Sequence, residues 1–215
     1  MTTATIREGK KIGVLPLVAL LLLSVAGQVL AQPSQASVPK KPPQKKASEL
    51  IHKQEPPKVK GGLLDRATAS NVTVYVSLGK QRAYFKVDDE IAIDTPISSG
   101  KKAGMTPSGN FKIVEKDKDH RSSVYGNFVN SAGKVVRSGV STRIDSAPSG
   151  TRYEGASMKW FMRFGTAADG GTAVGMHTGI LPGYPASHGC VRLPDEIAKL
   201  IYEHISIGTP VTIGE

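Results

Sequence analysis

Gly175-Met176-His177-Thr178-Gly179-Ile180-Leu181-Pro182-Gly183-Tyr184-Pro185-Ala186-Ser187-His188-Gly189-Cys190-Val191-Arg192-Leu193-Pro194 gathers two of the chain's five histidines and its only cysteine. A cysteine nucleophile needs a base to take its proton, a group to orient that base, and N–H donors for the oxyanion formed on attack. This one stretch supplies residues for all of these parts. Gly189 permits a tight backbone path into Cys190, and either His177 or His188 is close enough in sequence to serve the thiol. A histidine two residues before a cysteine shares its side of an extended chain, so the residues alone leave the choice of base open. Two other readings compete. His177, His188 and Cys190 are three zinc-ligand types, but a closed zinc site wants a fourth ligand and paired short spacings, which the stretch lacks. A lone cysteine is also often a buried, inert core residue.

Outward from this segment the pattern is that of a β protein with a single persuasive helix. After Leu193, Pro194 suits a first helical turn, Asp195 and Glu196 complement the positive end of the helix dipole, and Ile197, Leu200, Ile201 and His204 follow i, i+3, i+4, i+7. Upstream, Val72, Val74 and Val76 alternate with polar residues, the period-2 mark of a half-buried strand. Further strands are expected at 81–86, 90–98, 110–115, 160–164, 173–176 and 210–213, with turns at Gly79-Lys80 and Asp88-Asp89. Glycine (23) and proline (14) are plentiful in the 215 residues and aromatics are few, which favours a loop-rich mainly β fold, a sandwich or curled mixed sheet. Between Asp119 and Gly155 a Gly/Ser/Arg-rich stretch shows weak periodicity and is expected to be a long loop, with a substrate lid as its role.

The remaining segments divide the chain into 1–31, 32–69 and 70–215. Arg7, Lys10 and Lys11 precede an apolar run from Ile12 to Val25, and Val29 and Ala31 suit a cleavage after Ala31, the order of a secretory signal. An uncleaved anchor is the alternative, and it would add membrane contact through this segment; with no cysteine near, attachment of a lipid to cysteine is excluded. Residues 32–69, rich in Pro, Lys, Gln and Ser, are expected to form a flexible spacer. The formal net charge of +10 sits mostly at the front: residues 1–60 carry +7 and residues 61–215 carry +3. Behind an export signal, an anionic envelope polymer or membrane surface suits that charge better than nucleic acid, and a solvated linker explains it equally well. An exported protein meets oxidising conditions, yet Cys190 has no partner for an intramolecular disulfide. No phosphate-binding or dinucleotide fingerprint is present, so no cofactor is expected.

Three motifs in one order resemble the L,D-transpeptidase catalytic domain family. Ser187-His188-Gly189-Cys190 matches the family's Ser/Thr-His-Gly-Cys box, Thr106-Pro107-Ser108-Gly109-Asn110-Phe111 matches a Thr-Pro-x-Gly-x-Phe stretch, and Met158-Lys159-Trp160-Phe161-Met162-Arg163 is similar to the strand ahead of an upstream histidine. The resemblance covers about residues 71 to 213 and implies that family's mixed β-sandwich-like catalytic fold with one or two helices. It implies Cys190 as nucleophile and His177 as base, the Thr178 carbonyl orienting the ring, and His188 and Gly189 shaping the oxyanion pocket. Arg192 is a candidate for a substrate carboxylate, with Ser187, Tyr184 and Trp160 lining the substrate cleft; core packing is the competing account for Trp160. There are departures. Only nine residues, 178–186, separate His177 from Ser187, fewer than in many members; Arg192 stands where some have asparagine, and Lys159 replaces a familiar proline.

The activity implied is exchange of peptide bonds in peptidoglycan stem peptides, in the periplasm or cell envelope, with no metal. Cys190 would attack the third residue of a tetrapeptide stem, release D-alanine and pass the thioester to an amine of another stem or of a wall-attached protein. Hydrolysis of the same thioester by water, and a catalytically silent wall-binding module, are the rival readings.

Overall fold

The computed structural model describes residues 53–166 and 172–215. The expected signal or anchor at 1–31 and the front of the spacer lie outside the described residues. The described chain is mainly β, in curled sheets, and its strands divide between two of them.

The larger sheet grows from the hairpin β2 (Val72–Ser77) and β3 (Arg82–Val87). Their register sets Val72 opposite Val87, Val74 opposite Phe85 and Val76 opposite Ala83. All six are buried, because period-2 alternation puts them on one face of a pleated strand. A second hairpin leads into β4 (Glu90–Pro96) through Asp88-Asp89. Both aspartates have positive φ, 49° and 63°, the backbone of a two-residue turn matched to strand twist. β5 (Gly109–Asp117), β9 (Phe161–Gly165), β10 (Gly175–Thr178), β11 (Val191–Leu193) and β12 (Pro210–Gly214) complete this sheet together with β1 (Lys58–Val59). The strand order is β1-β4-β3-β2-β12-β5-β9-β10-β11. Two pairs, β2 with β12 and β10 with β11, are parallel.

Two helices accompany the sheet. α1 (Gly61–Leu64) is a single turn. α2 (Asp195–His204) is the helix expected after Pro194; it buries Ile197, Ala198 and Ile201 and places Asp195 and Glu196 in its first turn. These residues join the valines of β2 and Phe85, Ile93, Ile113, Phe164, Met176 and Leu193 in one core.

Two expectations are revised. The stretch 119–155 is not a loop: it forms β6 (Arg121–Asn130) and β7 (Val135–Ser141), and with β8 (Thr151–Ser157) these make a separate three-stranded antiparallel sheet, order β7-β6-β8. Register shifts interrupt both of its ladders, and β7 buries only its last two residues, so no clean alternation marks the strands. The folded body also begins ahead of Asn71. β1 pairs with β4, Leu64 is buried in the core, and the side chain of Gln54 donates to the carbonyl of Ile97 at 3.1 Å. Leu63, Leu64 and Ala67 supply the apolar surface that the composition of 32–69 as a whole conceals. Among the described residues no helix is long and apolar enough to cross a membrane.

Candidate active site

β10 and β11 run parallel with His177 opposite Arg192, and Cys190 directly precedes β11. His177 is buried. Its Nδ1 lies 2.6 Å from the Thr178 carbonyl oxygen. A carbonyl only accepts, so Nδ1 carries the proton and Nε2 is left with its lone pair. Burial is the main reason the imidazole is pushed down to about 4; the Thr178 carbonyl opposes this, while Arg192 and His120 add to it. Burial likewise pushes the Cys190 thiol up, opposed by the Gly175 N–H donated to its sulfur and by Arg163 and Arg192. Both groups are therefore held toward their neutral forms at neutral pH. A resting thiolate–imidazolium pair is disfavoured, and the arrangement suits a thiol deprotonated as it attacks.

The backbone around the cysteine is held from several sides. The Ser187 hydroxyl accepts the Gly189 N–H at 3.0 Å and donates to the Cys190 carbonyl at 2.5 Å. The Thr106 hydroxyl donates to the Gly189 carbonyl at 2.5 Å and accepts the Gly100 N–H at 2.9 Å. In a trans peptide C=O and N–H point opposite ways, so fixing the Gly189 carbonyl on Thr106 turns the Cys190 N–H the other way. That N–H meets no acceptor among the described residues. Gly189 has φ +138°, and a Cβ there would stand 3.0 Å from the Met105 carbonyl. At Gly175 a Cβ would collide with the Met162 carbonyl oxygen and meet the Phe161 ring at 2.7 Å, so the close approach of β10 to β9 there requires glycine.

The two histidines are distinguished by their surroundings. His188 is exposed, its ring stacks on Tyr125 of β6 with centroids 4.2 Å apart, and its Nε2 lies 3.1 Å from the Lys101 ammonium. An ammonium only donates, so that nitrogen is occupied as an acceptor. Burial first, then Lys101 and Arg192, push the His188 imidazole down. Among the described residues the Nε2 of His177 meets no such donor.

Of the other expected residues, Thr178 presents its carbonyl to His177 and its hydroxyl to Asp195 at 2.9 Å. Ser187 is buried and bonds the Gly189–Cys190 turn itself. Arg192 lays its aliphatic stem over Gly179, where a Cβ would come within 2.7 Å of it; among the described residues it forms no ion pair with a carboxylate. Tyr184 accepts the Ser98 hydroxyl on its carbonyl at 2.8 Å. Trp160 has φ +58° and tilts against Tyr202 of α2 at 5.4 Å, with the Lys118 ammonium over its ring. That contact belongs to core packing.

Several contributors had no sequence signal of their own: Gly175 through its N–H, Lys101, Tyr125, and Asp117 with His120. The His120 ring stacks on Phe161 at 4.2 Å and its Nδ1 meets Asp117 at 3.0 Å. Thr106 lay within a recognised motif, but its bond to Gly189 was not legible there. The metal-ligand grouping found among the described residues is Glu115, Asp117 and His120, not His177, His188 and Cys190. Glu115 is engaged by Arg163 at 2.6 Å, and Asp117 and His120 engage each other.

The family model of the L,D-transpeptidase catalytic domain matches residues 71–213. Solved structures similar to this chain include an L,D-transpeptidase from Mycobacterium smegmatis, 22% identical with a TM-score of 0.47, covering 66% of this chain and 58% of that one. Another, from Stackebrandtia nassauensis, is 20% identical with a TM-score of 0.45 and coverages of 69% and 58%. For the Enterococcus faecium L,D-transpeptidase the values are 20%, 0.45, 67% and 50%. This chain thus spans between half and three-fifths of the length of these proteins. No curated protein matches it. With the family model matched over most of its length, the chain belongs to the L,D-transpeptidase catalytic domain family.

Proposed function

We propose that this member of a family acting on peptidoglycan stem peptides is a peptidoglycan L,D-transpeptidase working through Cys190. The observation that carries the reading is the buried His177, its Nδ1 bound to the Thr178 carbonyl and its Nε2 without a hydrogen-bond partner among the described residues, on the strand paired with the one Cys190 leads into. Nε2 takes the thiol proton as Sγ attacks the carbonyl carbon between the third stem residue and the terminal D-alanine. The N–H of Cys190 donates to the oxyanion, in the pocket shaped by Gly189 and His188. Collapse breaks the C–N bond, and the D-alanine nitrogen leaves with the proton from His177. A thioester remains on Cys190.

An acceptor amine then attacks the thioester, gives its proton to His177 and forms the new amide, and Sγ recovers the proton as it departs. One peptide bond is made for each broken, so no nucleotide is required. Arg192, which donates to the Ile180 carbonyl at 3.5 Å and among the described residues meets no carboxylate, suits a stem carboxylate, with Tyr184 at the cleft edge. Such a substrate requires export to the periplasm or cell envelope, in keeping with the signal-like residues 1–31. The acceptor is an amine of a neighbouring stem or of a wall-attached protein.

The test is to incubate the full chain and its Cys190→Ala variant with disaccharide-tetrapeptides and to weigh protein and products. Expected are a cysteine-dependent acyl-enzyme and a dimer lighter by one D-alanine. Tripeptide alone would make water the acceptor and the enzyme an L,D-carboxypeptidase; an unaltered substrate would favour a silent wall-binding module.

A further inference from the structure

Gln81 stands in the turn between β2 and β3 with φ +51°. Glycine or asparagine would occupy that left-handed backbone with less strain. Turn geometry alone therefore does not account for a glutamine, whose side chain is instead buried and makes three hydrogen bonds. Its Nε2 donates to the Leu78 carbonyl at 2.6 Å and to the Ser99 hydroxyl at 2.8 Å, and its Oε1 accepts the Ser99 N–H at 3.0 Å. Ser99 is itself buried, and its carbonyl accepts two N–H groups of the segment leading to the cysteine, Ala186 at 3.0 Å and Ser187 at 2.9 Å.

From Ser187 the chain of bonds reaches the nucleophile, since that hydroxyl ties the Gly189 N–H to the Cys190 carbonyl. The segment 186–190 is also tied to the Ser98 hydroxyl, the Lys101 N–H and the Thr106 hydroxyl, but Ser99 holds it through two consecutive N–H groups. Its position thus depends in part on where Ser99 is held, and Gln81 grips Ser99 on both backbone and side chain. We infer that Gln81 is a positioning residue of the active site, fixing the Cys190 turn through Ser99 and Ser187. The inference rests on the transpeptidase reading for its catalytic consequence, but the placement of the thiol can be tested without it.

Two variants of the full chain separate this role from plain stability. Gln81→Gly relieves the backbone and deletes the grip; Ser99→Ala removes one bond of it from the other end. Because Cys190 is the only cysteine, iodoacetamide reports on that thiol alone. In Gln81→Gly, folded by thermal melt, kcat should fall about tenfold with KM within about twofold of the parent, as expected for misplaced reacting atoms. The released thiol, no longer held up by burial, should at the same time alkylate about threefold faster at neutral pH. Ser99→Ala should move both rates in the same directions by about half as much on a logarithmic scale.

A folded Gln81→Gly protein whose kcat and alkylation rate both stay within about twofold of the parent overturns the inference. Should Gln81→Gly not fold, unchanged rates in Ser99→Ala overturn it equally. If the parent chain does not turn over stem peptides, the transpeptidase reading falls while the alkylation arm still decides the placement of the thiol.

Discussion

The nine-stranded sheet faces Val72, Val74 and Val76 with Val87, Phe85 and Ala83 and buries them all in the core shared with α2. The three-stranded sheet adds none of its residues to that core; its buried apolar side chains are Phe128, Val129 and Val140. It relies instead on local polar bonds. The Tyr153 hydroxyl donates to the Ser122 carbonyl at 3.0 Å, and Asp145 accepts both the Ser141 N–H at 2.8 Å and the Arg137 guanidinium. One sheet is stabilised collectively by hydrophobic burial, the other locally, so the small sheet is expected to open first while the large one unfolds only as a whole.

The sharpest way to break this comparison is to empty the large sheet's core. Phe164 is fully buried, and Phe164→Ala should cost about 3–5 kcal/mol of global stability in chemical denaturation. A loss confined to one part of the molecule would contradict the collective picture. Next in size is the response to acid, which should belong to the large sheet because His177 lies on β10. The unfolded imidazole titrates near its ordinary 6.5 and the folded one at about 4. Below the first value the unfolded chain binds a proton that the folded chain refuses. Stability fully present above that pH should thus decline as pH falls toward about 4, by on the order of 3 kcal/mol. His177→Gln should flatten that part of the pH dependence, measured by urea unfolding at a series of pH values. The smallest effect is expected at the link between sheets. Tyr125→Ala deletes the stack on His188 and should lower global stability by about 1 kcal/mol, with Tyr125→Phe near the parent; a loss as large as that of Phe164→Ala would make the small sheet part of the common core.

The same contrast explains what the sequence disclosed. Strands β2 and β3 and helix α2 bury one face against a common core, and their apolar residues recur at the period of their backbone. β6, β7 and β8 bury little and change register, so Gly126, Ser138 and Gly139 read as loop. At the candidate site, residue type and spacing singled out Cys190 and two histidines, while the choice of His177 and the part of the Thr178 carbonyl came only with the family resemblance. The parts of Gln81, Thr106 and Tyr125 were legible in neither, because each reaches its partner across a stretch of chain through a contact that only the folded backbone creates. Leu64 went unread for a different reason: a few apolar residues at the end of a polar segment change its composition little, yet they are enough to seat β1 and α1 against the sheet.

The place of β12 bears on how the domain is made. It lies between β2 and β5, parallel to the first and antiparallel to the second, and is the only strand joining the β1-to-β2 half of the large sheet to the β5-to-β11 half. It is also the last strand in chain order. Until residues 210–214 have been synthesised, the two halves have no common strand, and the pairing of Val211 with Val74 closes one of the longest loops the domain contains. Such contacts make folding slow and late. A growing chain would therefore remain without its complete large sheet until residues 210–214 have emerged.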